Sequence, residues 1–309
     1  MVSFSVKYIE YFGDITPIVL QSDNGPCPFL ALINILLLRH MISLPIDIKS
    51  VEFDYLCTTV IDILVESHTQ LDIDQLKYTM LDMQRGIDVD CGFKNIYDIT
   101  ISSEIDIFKH FGINFVHGWV VSTYDTYYYP ILYRFTYNKL MDQLVLYQTQ
   151  GTTDGSNNES ELSSEEVDIV NNFIKNYSSQ LTEEGLIQLV TNLQENELAI
   201  LFYNNHCTVV LKYNKELYCL VTDIGYRENS CVWEKLDNIY NDTSFYDDKF
   251  QKYTAEMDDI KLPSGGKGTK KIARSTWLSK VGKNTAKISS KTCNSPRSSG
   301  RRRSKCQLM

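Results

Sequence analysis

Cys27, Gln21 and His206 have the side-chain types that nucleophilic attack on a carbonyl carbon requires. Cys27 lies between two prolines in the segment QSDNGPCPFLALINILLLRH (21–40), just before a ten-residue apolar run that only Asn34 interrupts. A thiolate nucleophile needs a base to accept its proton and a donor for the oxyanion that forms on the attacked carbonyl. An imidazole can act as that base, and a side-chain amide can act as that donor.

The sequence around Cys27 favours an activated thiol. Pro28 suits the first position of a helix, where its missing N–H is not needed, and Cys27 is then the N-cap residue. The positive end of the helix dipole stabilises an anion at that position. Gly25 permits a sharp turn before the helix, which favours an exposed thiol. The alternative is that Cys27 is a small buried apolar residue, the common fate of a free cysteine.

Gln21 and His206 are the candidates for the oxyanion donor and the base. Gln21 lies six residues before Cys27, so its amide can fold back toward the start of the helix and donate to an oxyanion. His206 stands at the start of a predicted strand, directly after two asparagines. The other histidines suit helix ends, the surface or the core; they are His40, His68, His110 and His117.

Asp223 is a candidate for orienting the imidazole of His206. A two-residue turn at Asn214 and Lys215 pairs two antiparallel strands so that His206 faces Asp223. A carboxylate in that position holds the imidazole in one tautomer. Because the turn is not Asn-Gly, the register could differ by one or two residues. Asp223 could then be an ordinary strand-end carboxylate, and Thr222 could take the orienting role.

Periodicity and composition predict an α+β fold, with a helical part that comes first and packs on an antiparallel sheet that closes the domain. The predicted helices span 30–40, 52–67, 70–81, 105–111, 164–177 and 182–193. The predicted strands span 115–121, 127–137, 144–147, 198–203, 206–213 and 217–223. Ser163 and Glu166 form a capping-box pattern at the start of the fifth helix.

Charge is divided unevenly along the chain. Of the 30 basic residues, 14 fall in 261–309, where there is no acidic residue, so 16 basic and all 39 acidic residues fall in the rest. We therefore predict a catalytic domain at 1–255 and a basic, disordered tail at 256–309. The start lacks a signal-peptide pattern, the apolar run is too short to cross a bilayer, and the eight cysteines form no CxxC pair. These features predict a cytoplasmic protein with mostly free cysteines and no metal or organic cofactor.

Several segments resemble the MINDY family of deubiquitinating cysteine proteases. They are QSDNGPCPFLALINILLLRH, GIDVDCGFKNIYDI, SSEIDIFKHFGINFVHGWVV, LTEEGLIQLVTNLQENELAILFYNNH and LFYNNHCTVVLKYNKELYCLVTDIGY, followed by VWEKL. The resemblance covers roughly residues 1–250, and the blocks around Cys27 and His206 are its most specific part. It implies a papain-related α+β fold and hydrolysis of polyubiquitin, with a preference for lysine-48-linked chains.

The resemblance also implies roles for individual residues. The nucleophile falls on Cys27, the base on His206 and the oxyanion glutamine on Gln21. The side chains that it implies for contact with the hydrophobic patch of ubiquitin are Val89, Trp119 and Phe202. Core packing is the alternative for these three. The acidic body suits a basic ubiquitin surface through electrostatic steering, so polyubiquitin and ubiquitinated proteins are the expected partners.

Two other functions remain compatible with the sequence. One is a non-catalytic, membrane-anchored adaptor that binds ubiquitin, and the other is a papain-like protease with a different substrate. A nucleophile, a base and an oxyanion glutamine in one chain disfavour the adaptor, which needs none of the three.

The segment CQLM (306–309) fits the CaaX pattern for prenylation, and its methionine favours a farnesyl group on Cys306. A single prenyl chain binds membranes only weakly, but the basic segment RRRSK (301–305) supplies a second attraction to anionic lipid. We therefore expect an association with an anionic membrane surface. Nucleic acid is disfavoured as a partner, because the basic residues are not interleaved with aromatic ones.

Overall fold

The computed structural model describes residues 2–22, 25–67, 72–149, 160–240 and 243–254. Its strands are β1 (Ser3–Tyr11), β2 (Asp14–Val19), β3 (Ser50–Glu52), β4 (Phe115–His117), β5 (Leu198–Tyr203), β6 (His206–Tyr213), β7 (Glu216–Leu220), β8 (Trp233–Lys235) and β9 (Phe245–Tyr246). Its helices are α1 (Cys27–Leu38), α2 (Phe53–Ser67), α3 (Ile73–Met83), α4 (Ser103–His110), α5 (Tyr129–Leu132), α6 (Tyr137–Thr149), α7 (Ser164–Asn176) and α8 (Glu183–Asn192). The predicted tail at 256–309, with Cys306, lies outside the described residues.

Two sheets organise the described part of the chain. The smaller sheet has the strand order β2-β1-β3, and the larger has the order β4-β5-β6-β7-β8-β9. Strands β4 and β5 pair in parallel, whereas the other neighbouring strands pair antiparallel. Three hairpins are closed by two residues that both have positive φ, at positions 12–13, 204–205 and 214–215. Such turns match the right-handed twist of the strands, so they fix the register of the strand that follows.

Helix α1 lies in the main core and joins the two sheets. All twelve of its residues are buried, as expected for a helix that is apolar on every side. Strand β2 of the smaller sheet and strands β5 and β6 of the larger sheet pack against it. Because α1 begins at Cys27, this packing fixes where the thiol lies relative to both sheets. No helix in the described ranges combines the length and apolar character that a membrane crossing requires.

The α+β class predicted from the sequence is confirmed, and so are most of its elements. Each predicted helix is present, with ends that differ by at most a few residues. The capping box is formed as predicted, because the Ser163 hydroxyl accepts from the Glu166 N–H and the Glu166 carboxylate accepts from the Ser163 N–H. The three closing strands are also present, although the last of them ends at Leu220.

Two predicted strands are wrong. The segment 127–137 contains α5, and the segment 144–147 lies inside α6. Their aromatic and β-branched residues favour strands. However, Tyr137, Leu140 and Leu144 recur on one side of a helix and are buried together, so tertiary packing determines the structure there.

The predicted order of elements is also wrong, because β1 and β2 precede the first helix. This hairpin covers α1 and ends two residues before Gln21. The predicted strand at 115–121 is shorter, since β4 ends at His117, and it pairs in parallel with β5 rather than joining an antiparallel sheet.

Candidate active site

Cys27 is the first residue of helix α1. Pro26 is the N-cap and its carbonyl accepts from the Leu30 N–H, so the helix starts one position earlier than the sequence indicated. The thiol still lies in the first turn, where the helix dipole favours a negative charge. Cys27 is only 6% exposed, so the expectation of an exposed thiol is wrong for this conformation.

Other thiols in the described ranges have environments that suppress ionisation. Burial raises the pKa of the Cys57 thiol to about 12, and the nearby Asp54 carboxylate raises it further. Burial also raises the pKa of Cys91 and Cys219 well above the usual value for cysteine. A thiol with a raised pKa stays protonated at neutral pH and is a poor nucleophile.

The strand that begins with His206 reaches the thiol of Cys27. The backbone N–H of Cys207 donates to the Sγ of Cys27 over 3.5 Å, although the two residues are 180 positions apart. His206 precedes Cys207 and pairs with Tyr203 across the β5–β6 hairpin. Cys207 is buried and His206 is half-buried. The fold therefore brings the segments of the predicted nucleophile and the predicted base together.

The turn before His206 is held by a glutamine that the sequence interpretation did not single out. The Nε2 of Gln180 donates to the Oδ1 of Asn205 over 2.8 Å, and the Asn205 N–H donates to the Oε1 of Gln180 over 2.7 Å. Gln180 is buried and has a positive φ of 61°. Its paired amide contacts fix the residue next to His206. The only sequence signal was the N-N-H block itself, which indicates a tight turn but not its partner.

Gln21 connects the start of α1 to the segment after β7. Its backbone N–H donates to the carbonyl of Thr222 over 2.6 Å, and its carbonyl accepts from the Ile224 N–H over 3.0 Å. Its side-chain Nε2 donates to the carbonyl oxygen of Gly25 over 3.1 Å. The amide thus folds back toward the segment that precedes Cys27, as its spacing predicted.

The carbonyl oxygen of Gly25 accepts a second hydrogen bond, from the backbone N–H of Cys27 over 2.9 Å. Two N–H groups that could hold an oxyanion beside the thiol therefore converge on one oxygen of the chain itself. A Cβ atom at position 25 would lie 2.9 Å from the Cγ of Gln21, so a larger residue there would displace the Gln21 side chain.

Asp223 and His206 do not form a cross-strand pair in the larger sheet. The register that the turn at 214–215 predicted is confirmed where β6 and β7 pair. However, β7 ends at Leu220, and the residue pairs between β6 and β7 do not extend to His206 and Asp223. The carboxylate of Asp223 accepts from the Gly225 N–H over 2.6 Å and caps a short 3-10 turn. The cross-strand pairing of His206 with Asp223 is therefore wrong, and an orienting role for Asp223 stays a prediction.

The three apolar residues that the resemblance implied for ubiquitin contact lie in the core. Val89, Trp119 and Phe202 are between 2% and 4% exposed. Trp119 stacks on the ring of Phe173, with centroids 5.7 Å apart. In this conformation the three side chains contribute to packing, and their contact with ubiquitin stays a prediction.

Three of the remaining histidines lie in the described ranges, and His117 and His40 contact other groups. Burial lowers the pKa of His117 from 6.5 to about 4, and its Nδ1 accepts from the Trp119 N–H. The Nε2 of His40 lies 3.8 Å from the Asp14 carboxylate at the surface. His68 lies outside the described residues, and His110 ends α4. Within the described ranges, no three His, Cys, Asp or Glu side chains are grouped so that they could hold a metal ion.

Comparison with known proteins gives independent information about the family of the chain. A family model described as the MINDY deubiquitinase matches residues 2–250. Ubiquitin carboxyl-terminal hydrolase MINDY-1 from Mus musculus is 31% identical over 259 residues, which cover 80% of this chain and 54% of the relative. Ubiquitin carboxyl-terminal hydrolase MINDY-2 from Homo sapiens is also 31% identical, over 80% of this chain and 40% of the relative. The chain spans about half the length of the curated relatives that it matches.

Proposed function

Because the chain belongs to the MINDY deubiquitinase family, we propose that it is a cysteine-type ubiquitinyl hydrolase that cleaves isopeptide bonds in polyubiquitin. The observation that carries the proposal is the hydrogen bond from the Cys207 N–H to the Sγ of Cys27. It supports the proposal because it joins the start of α1 to the strand that begins with His206. The relatives are named as ubiquitin carboxyl-terminal hydrolases, which favours the same class of substrate here.

In the proposed reaction, His206 accepts the thiol proton and the Cys27 thiolate attacks the carbonyl carbon of the isopeptide bond. The Nε2 of Gln21 and the backbone N–H of Cys27 leave the carbonyl of Gly25 and bind the oxyanion. The imidazolium then gives its proton to the departing lysine amine, and a thioester joins Cys27 to ubiquitin. A water molecule, deprotonated by His206, hydrolyses the thioester and releases the thiol.

The test is a purified chain-cleavage assay with wild type, Cys27→Ala and Cys207→Ala. We expect Cys27→Ala to abolish cleavage, because no other group at the start of α1 can form the thioester. Cys207→Ala is the matched control, since it removes a neighbouring thiol but keeps the backbone N–H that contacts Cys27. Cleavage by Cys27→Ala at the wild-type rate contradicts the assignment of the nucleophile.

A ubiquitin probe with an electrophilic C-terminus separates this function from its alternatives. Covalent capture at Cys27 supports a deubiquitinase. A folded wild-type protein that binds ubiquitin chains but neither cleaves them nor reacts with the probe is the non-catalytic adaptor. A protein that ignores the probe but reacts with general thiol-protease reagents is a papain-like protease with another substrate.

The preference for lysine-48-linked chains belongs to the same proposal. It rests on membership of the family, and the acidic charge of the body is compatible with steering of basic ubiquitin surfaces. A panel of linkage-defined chains tests it. Faster cleavage of lysine-48-linked chains than of all other linkages supports the preference, and equal rates contradict it.

We propose, separately, that Cys306 is farnesylated and that the basic tail adds attraction to anionic membranes. This modification requires that the cellular polypeptide end at Met309. Mass spectrometry of the C-terminal peptide tests both conditions, with Cys306→Ser as the control. A peptide that ends at Met309 and carries an unmodified Cys306 thiol contradicts the proposal.

A further inference from the structure

Lys7 and Asn34 are polar side chains buried in the main core region, and both bond to segments that hold Gln21. Lys7 is 8% exposed and Asn34 is fully buried. Lysine and asparagine side chains are seldom buried unless hydrogen bonds compensate for the lost hydration. Their positions therefore call for a structural reason, and their hydrogen-bond partners supply one.

Lys7 lies in β1 and binds the connection between β7 and β8. Its Nζ donates to the carbonyl of Tyr226 over 2.8 Å and to the carbonyl of Cys231 over 2.6 Å. The connection spans residues 221–232, so Tyr226 lies near its middle and Cys231 near its end. The first half contains Thr222 and Ile224, whose backbone groups bond to both backbone groups of Gln21. The ammonium group of Lys7 therefore fixes the segment against which Gln21 is held.

Asn34 holds the end of the strand that leads to Gln21. It lies in α1, the helix that begins with Cys27, and its Nδ2 donates to the carbonyl of Val19 over 3.0 Å. Its Oδ1 accepts from the Val19 N–H over 2.7 Å. Val19 is the last residue of β2 and lies two positions before Gln21. One amide thus fixes the end of β2 relative to the helix that carries the thiol.

We propose that Lys7 and Asn34 are positioning residues that hold the backbone of Gln21 beside the start of α1, so that its side-chain amide can move from the Gly25 carbonyl to the oxyanion during the reaction. The inference rests on the proposed function, because it gives these residues a role in that reaction. A misplacement of about 1 Å in a reacting group can lower a rate by about a hundredfold, so such positioning has a measurable effect. An apolar pair of similar volume could fill the same space but could not fix the register of β2 and the β7–β8 connection.

Lys212 provides a matched control. Its Nζ also donates to two backbone carbonyls, those of Val190 over 2.6 Å and Leu193 over 2.7 Å. These carbonyls belong to the end of α8 and the residue after it, and not to a segment that contacts Gln21. Lys7→Met and Lys212→Met therefore remove the same kind of contact, and only the first removes it from the proposed site.

The experiment measures kcat and KM for cleavage of fluorescent polyubiquitin. The proteins compared are wild type, Lys7→Met, Lys212→Met, Gln21→Ala and the double variant that combines Lys7→Met with Gln21→Ala. We expect Lys7→Met to lower kcat by about tenfold to a hundredfold with little change in KM, because the oxyanion contact forms fully only in the transition state. Lys212→Met should keep the wild-type kcat. In the Gln21→Ala background, Lys7→Met should cause no further loss, because its effect acts through the missing amide.

A wild-type kcat for Lys7→Met overturns the inference. The inference is also overturned if Lys7→Met lowers kcat by the same factor in the wild-type and Gln21→Ala backgrounds. A purely structural role gives that second result, because a smaller folded fraction lowers the rate in both backgrounds. Asn34→Leu is the independent second arm and is judged by the same criteria. If Lys7→Met does not fold, the Asn34→Leu arm decides the outcome by the same criteria. A wild-type protein without cleavage activity overturns the proposed function itself, which distinguishes that failure from this one.

Discussion

At the scale of single residues, the side-chain amide of Gln21 can be tested by an isosteric change. Gln21→Glu keeps the shape of the side chain but replaces the N–H donor with an oxygen that only accepts hydrogen bonds. Loss of one oxyanion donor lowers kcat by about 10²–10³-fold, and we expect a fall of that size with little change in KM. Steady-state cleavage of polyubiquitin measures it, with thermal unfolding as the control for folding. A kcat close to that of wild type removes Gln21 from the reaction.

Asp223 allows a second test at this scale, because its carboxylate has a partner of its own in the Gly225 N–H. Asp223→Asn keeps an oxygen that can accept from that N–H, so the cap should survive. We expect kcat to stay within about twofold of wild type, since the change preserves the only side-chain role that the described contacts give to Asp223. The same cleavage assay applies, and a fall of about tenfold or more in kcat with an intact fold assigns Asp223 an electrostatic role toward His206.

The positions of the candidate site residues were more predictable than the residues that hold them in place. The types and spacing of Cys27, Gln21 and His206 pointed to one site, and a described contact joins the segments of the first and the last. The Gly25 carbonyl and the Gln180 amide gave no comparable signal. Every residue has a backbone carbonyl, and the partner of a buried amide depends on the fold, so sequence alone could not single them out.

At the scale of elements, helices and strands were predicted correctly where the apolar residues followed a single spacing. The helix α7 has a capping box and an apolar stripe, so both its start and its buried side were predictable. The segment that contains α5 and α6 gave conflicting signals. Its tyrosines favour strands, but burial of Tyr137, Leu140 and Leu144 selects a helix that packs on the cluster around Trp119.

The cap of α7 gives a prediction at the scale of elements. Ser163→Ala removes the hydroxyl that accepts from the Glu166 N–H, and such a loss costs about 1 kcal/mol of stability. We expect urea unfolding to show a decrease of that size in the free energy of unfolding, with unchanged chain cleavage. Ser164→Ala is the control, because Ser164 is the adjacent first residue of the helix and not its cap. Equal losses for both variants contradict a specific contribution from the cap.

At the scale of the whole molecule, stability should depend on pH through His117. Burial lowers its pKa from 6.5 to about 4 in the folded state, so between these values the unfolded chain binds more protons than the folded chain. The stabilising contribution is complete above pH 6.5 and is lost as the pH falls toward 4. The slope that one such group contributes is at most about 1.4 kcal/mol per pH unit.

His117→Asn tests this dependence, because an asparagine oxygen can replace the Nδ1 that accepts from the Trp119 N–H. We expect the free energy of unfolding in urea to decrease less steeply between pH 6.5 and pH 4 than in wild type. His40→Asn is the control, since His40 is at the surface and asparagine tolerates its positive φ of 54°. A slope equal to that of wild type for His117→Asn assigns the pH dependence to other groups.

The carbonyl of Gly25, which receives the N–H groups of Gln21 and Cys27, has a consequence for inhibitor design. In the proposed mechanism, a peptide aldehyde or nitrile that adds to the thiol must take these two N–H groups from the Gly25 carbonyl, so part of its binding free energy is lost in breaking those hydrogen bonds. A small warhead has few other contacts with which to recover that loss. Selective compounds should therefore combine a warhead with a large recognition element, or should bind while the Gly25 carbonyl keeps both hydrogen bonds and leave the thiol unmodified.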